Sequence, residues 1–115
     1  MKTANNQPAP EAAIKMDLTE QQQLELEAAT FRRLIQHLDD HKEVQNIELM
    51  NLASFCRNCL SKWFTAEAQA RDIEVGYDEA RQMVYGMPYE EWKAKYQSEA
   101  TAEQLARFKE VNPQP

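Results

Sequence analysis

Between Asn46 and Ala70 the apolar positions recur at helical spacing. At 100° per residue Leu49, Leu52, Ala53, Cys56, Cys59, Leu60 and Trp63 fall on one stripe, with Phe55 and Phe64 at its borders. No Gly or Pro interrupts NIELMNLASFCRNCLSKWFTAEAQA, so the pattern predicts one long central helix. Its opposite side is uncharged: Ile47, Asn51, Ser54, Asn58, Ser61 and Thr65 follow one another at alternating steps of four and three. Upstream, Thr19 and Gln22 have the form of a capping box opening a first long helix, with Leu24, Ala28, Phe31, Leu34, Ile35 and Leu38 on one face. That helix is expected to end near Asp39–His41, and Asn46 to cap the central one. Downstream the pattern predicts three short helices. Gly76 and Glu79 open the first and Gly86 closes it in the left-handed conformation. Pro88 sits in the first turn of the next, whose aromatic face is Tyr89, Trp92 and Tyr96. Thr101 and Gln104 form a second capping box before Leu105 and Phe108.

The expected fold is all-α: a compact five-helix domain, two long helices as a hairpin plus three short C-terminal helices. Residues 1–16 read as a flexible tail, 17–111 as a single helical domain and 112–115 as a frayed end. Composition supports the class, because a chain with only Gly76 and Gly86 lacks the turn chemistry that sheets need. A length of 115 residues fits one domain with one core. The net charge of −6 argues against nucleic acid and against an anionic membrane surface as partners. No apolar run is long enough to span a bilayer, and the first residues carry no secretory h-region. With two cysteines and no export signal, the expected location is a reducing cytoplasm.

The stretches EVQNIELMNLASFCRNCLSKWF, YDEARQMVYGMPYEEWKAKYQ and ATAEQL closely resemble a bacterial family catalogued as domain of unknown function 1244. The resemblance runs from about Phe31 to Phe108. It implies a small, all-helical, five-helix protein and carries no activity, substrate or site residue with it. Gly76, where the family tends to have Ser, changes a cap and nothing more.

Cys56-Arg57-Asn58-Cys59 spells CxxC, which serves elsewhere as a redox pair or as half a zinc site. In one continuous helix Cys56 lies about ten residues from the N-terminus, beyond the reach of the helix dipole. Both thiols then sit in the apolar stripe as small hydrophobes. His37 and His41, spaced i and i+4, are the remaining metal-ligand candidates. In a simple hairpin the histidines and cysteines are offset by about 12 Å along the axis, too far for a shared zinc ion. A di-iron site would want Glu where Leu34 and Leu38 stand. Asp39-Asp40 and Glu90-Glu91 read as exposed turn and first-turn acids, not as a tuned acid–base pair.

No catalytic residue, cofactor or resident metal is therefore expected. The leading functional reading is a small helical protein-interaction module, its partner another protein or a second copy of the chain. The alternative is a metal-binding or thiol-dependent protein using Cys56 and Cys59. The candidate interface is the line Asn51, Ser54, Asn58 and Ser61, where short side chains permit close helix approach. Such amides and hydroxyls need partners, within the chain or outside it. Trp63 is expected in the core, packed on Trp92 or Tyr96.

Overall fold

The computed structural model describes residues 16–112. The expected N-terminal tail therefore lies outside the described residues except for Met16, and the C-terminal one except for Asn112. The described residues form six α-helices and no strand: α1 Glu20–Asp39, α2 Asn46–Ala53, α3 Arg57–Ala70, α4 Tyr77–Tyr85, α5 Tyr89–Tyr96 and α6 Ala102–Val111. The chain divides into two compact units, Met1–Phe31 and Arg32–Pro115, so residues 20–31 of α1 belong to the first and 32–39 to the second.

In the first unit the capping box at Thr19 is present. The Thr19 hydroxyl accepts from the Gln22 amide at 3.0 Å, and the Gln22 side chain accepts from Thr19 N at 2.9 Å. Leu24 is exposed, whereas Ala28 and Phe31 are half-buried.

The second unit departs from expectation at its centre. The helix expected across 46–70 is two helices, which makes six instead of five. Ser54 closes α2 in the left-handed conformation, φ 61°, its amide donating to Met50 O at 3.0 Å. The chain then passes through Phe55 and extended Cys56 before Arg57 opens α3. The two halves pack on different partners, α2 against α6 and α3 against α4, with α5 lying on α4. One of the two long helices of the expected hairpin thus does not exist as a single rod.

The other boundaries follow the capping chemistry. Gly76 N donates to the Glu79 carboxylate at 2.8 Å, and Gly86, φ 77°, ends α4 with its amide on Gln82 O at 2.8 Å. Pro88 is the N-cap of α5, one position before the first turn. Thr101 and Gln104 exchange bonds of 3.0 and 2.9 Å at the start of α6. Gln45, not Asn46, caps α2; its amide donates to the Glu48 carboxylate at 2.7 Å. α3 ends in a Schellman arrangement: Asp72 takes φ 57° and Ile73 N reaches back to Ala68 O at 2.9 Å.

The buried set is Leu38, Cys56, Arg57, Leu60, Ser61, Ala68, Ala80, Val84, Tyr85 and Trp92. Within α3 the buried positions 57, 60, 61 and 68 share one face. Small residues, Ser61 and Ala68 on α3 and Ala80 on α4, let two helices approach closely, since interaxial distance follows side-chain size.

Candidate functional site

The region around the α2–α3 break starts from a buried charge. Arg57 is 2% exposed, and among the described residues no carboxylate bonds it. Its Nη1 donates to Val44 O at 2.8 Å and Asn46 Oδ1 at 3.0 Å; Nη2 donates to His41 O at 3.0 Å and Leu38 O at 3.3 Å. A helix C-terminus leaves carbonyls without intrahelical partners, and Arg57 satisfies those at the end of α1 and in the following link. Its guanidinium also lies 5.0 Å above the Trp92 ring. Burial pulls the Arg57 pKa below its ordinary value, opposed by Tyr85, Cys56, Asp39 and Glu43.

Asn46 extends this network. Its Nδ2 donates to Tyr85 Oη at 3.0 Å, and the Tyr85 hydroxyl donates to Asn58 Oδ1 at 2.8 Å. Tyr85 meets Trp92 edge-on at 4.9 Å, and burial pushes its hydroxyl well above the ordinary phenol range.

Starting α3 at Arg57 places Cys56 at the N-cap and Cys59 at the third helical position. This corrects the expectation that Cys56 lies ten residues inside a helix. Both thiols are free, with Sγ atoms 3.9 Å apart and Cys59 Sγ 3.8 Å from Met50 Sδ. Cys56 is buried and Cys59 half-buried. Burial raises the Cys56 pKa, against the pull of the backbone amides of Cys59 and Asn58.

The break also moves Trp63. It lies about 120° around α3 from the buried face at 100° per residue. It is 55% exposed and stacks on Phe55 with centroids 6.3 Å apart and planes inclined by 20°. The expected contact with Trp92 or Tyr96 is absent, because the stripe that joined Leu49 to Trp63 assumed an unbroken helix. Leu52, another stripe residue, is 85% exposed at the end of α2, and Phe64 is also exposed.

Of the expected interface line, Asn51 donates to Gln104 O of α6 at 3.1 Å and Asn58 accepts from Tyr85. Ser61 is fully buried and donates to Arg57 O at 3.1 Å; Ser54 is exposed at the end of α2. Three of the four therefore have partners inside the chain. The buried Asn51 Oδ1 has none. The His37 and His41 rings lie 4.7 Å apart, tilted by 54°, and His41 Nδ1 lies 3.2 Å from the Glu43 carboxylate. Among the described residues no three His, Cys, Asp or Glu side chains converge on a point, and no helix is long and apolar enough to cross a membrane. A depression along α5, lined by Glu90, Lys93, Gln97 and Glu99 among others, is shallow and open.

Sequence reasoning missed Arg57 and the aromatic pair. The available signal was an arginine just beside the apolar stripe, bracketed by Ser and Asn, residues that favour caps over helix interiors. Residues 44–110 match the sequence model of a family described as a protein of unknown function, DUF1244. No curated protein matches the chain.

Proposed function

The chain belongs to the DUF1244 family, whose description names no activity, and from that premise we propose that it is a small helical protein-interaction module. The observation that carries this reading is Trp63, 55% exposed and stacked on Phe55. Leu52 and Phe64, close in sequence, add exposed apolar surface. Large aromatic side chains supply much of the binding energy at protein interfaces, because they bury wide area at low conformational cost. The side chains that face inward near the break are already engaged by Arg57, Tyr85 and α6. That leaves the aromatic pair, and not the Asn–Ser line, as the contact surface. A chain charge of −6 favours a partner with a basic rim around an apolar pocket.

The test is immobilised wild-type chain against Trp63→Ser of equal thermal stability, with native lysate passed over both. A protein retained by the first and lost from the second supports the reading. Identical retention by both removes it. Light scattering across a concentration series identifies the case in which the partner is a second copy.

A further inference from the structure

We propose that Cys56 and Cys59 form a dithiol–disulfide exchange site, closing reversibly to an intramolecular disulfide against a low-molecular-weight disulfide.

Within a continuous helix, residues at i and i+3 hold their Cβ atoms about 5–6 Å apart. A disulfide requires about 3.5–4.5 Å between Cβ atoms, so a mid-helix CxxC closes only by distorting the helix. The break at Ser54–Cys56 removes that obstacle. Cys56 is the N-cap, with φ −149° and ψ −175°, and Cys59 occupies the third helical position. An N-cap side chain is aimed at that position, which is how Ser and Thr reach its amide. The two sulfurs already stand 3.9 Å apart, and a disulfide needs about 2.05 Å, so about 2 Å of approach remains. Rotation about the side-chain torsions, chiefly that of Cys56 outside the helix, supplies it without breaking a helical hydrogen bond.

Exposure sets the order of steps. Cys59 is half-buried and meets the oxidant; Cys56 is buried. The Cys59 thiolate attacks one sulfur of the small disulfide RSSR. The S–S bond of RSSR breaks, a Cys59–SR bond forms, and RS⁻ leaves to take up the proton that Cys59 gave. Cys56, losing its own proton, then attacks the Cys59 sulfur, displacing the second RS⁻, which takes up that proton. Two protein thiols are oxidised, one RSSR is reduced to two RSH, and no other reactant is consumed. Burial keeps Cys56 protonated at rest, while the Asn58 and Cys59 amides favour its thiolate as it forms.

The experiment equilibrates the full chain with mixtures of reduced and oxidised glutathione, natively and in urea. Acid quench, alkylation and mass spectrometry then count free thiols, mixed disulfide and intramolecular disulfide. The expected native result is the intramolecular disulfide, with an equilibrium constant about tenfold or more above that in urea, because the folded chain holds the sulfurs near bonding geometry. Cys56→Ser, which keeps a good N-cap, should stop at the Cys59 mixed disulfide. Cys59→Ser should stay reduced. A wild-type chain that remains reduced, halts at the mixed disulfide, or closes no more readily when folded than in urea overturns the proposal.

Discussion

Arg57 shows how much can rest on one side chain. It ties the end of α1 and its link to the start of α3, and does so with carbonyls and an amide instead of a carboxylate. Removing it takes a donor from four part-buried or buried acceptors at once and leaves a cavity beside Trp92. Arg57→Ala should therefore lower stability by about 3–5 kcal/mol in urea unfolding followed by circular dichroism. Arg57→Lys should recover less than half of that, since an ammonium lacks the fork that spans four acceptors. A loss under about 1 kcal/mol for Arg57→Ala would mean that water replaces the guanidinium at little cost. Backbone conformation gives a second test. Gly86 has φ 77°, and a Cβ there would meet nothing nearer than Asp39 Oδ1 at 3.8 Å. Gly86→Ala should cost about 1 kcal/mol through conformation alone. Ser54 holds φ 61° with a Cβ in place, so Ser54→Gly should raise stability by about 0.5–1 kcal/mol, read as a higher urea midpoint.

Among the elements, those with strong caps were legible in the sequence. Thr19/Gln22, Gly76/Glu79, Gly86 and Thr101/Gln104 each lie where their chemistry required. The stretch 46–70 misled, because periodicity cannot register a phase change and no Gly or Pro marks the break. The residues that do mark it, Ser54 and the Asn and Ser around it, read equally well as a small-residue seam. Consequently Trp63, in phase with Leu49 on paper, is turned outward, and the CxxC moves from a helix interior to a helix start. Neither the outward-turned Trp63 on its half-buried Phe55 partner nor the N-cap thiol was visible without that break. Trp63→Ala should accordingly cost under about 1 kcal/mol in thermal or urea unfolding, far from the 3–5 kcal/mol of a core tryptophan. Trp92→Ala, at a site 1% exposed, should show the larger value. Equal losses at the two positions would return Trp63 to the core.

For the molecule as a whole, the buried thiol and phenol predict how stability varies with pH. Burial raises the pKa of Cys56 from an ordinary 9.0 and that of Tyr85 from 10.0. In each case the unfolded chain loses its proton first, so it binds fewer protons and folding stability falls as pH rises. Stability should be full below about pH 9 and decline above it, with a slope near 1.4 kcal/mol per pH unit for each group titrating. Cys56→Ser should flatten the first part of that decline, and a curve unchanged by the substitution would show that the thiol does not contribute. The helix break has a further consequence. Because α2 rests on α6 and α3 rests on α4, with three residues between α2 and α3, the two pairs are joined mainly by the Asn46 bonds to Tyr85 and Arg57 at the break, and opening of α2 and α6 need give up little more than these. Amide protons along α3 and α4 should exchange with deuterium only through global opening. Those of α2 and α6 should exchange together through a smaller, cheaper opening that leaves α3 and α4 protected. An unbroken central rod would merge these openings into one; the interruption at Ser54 predicts two.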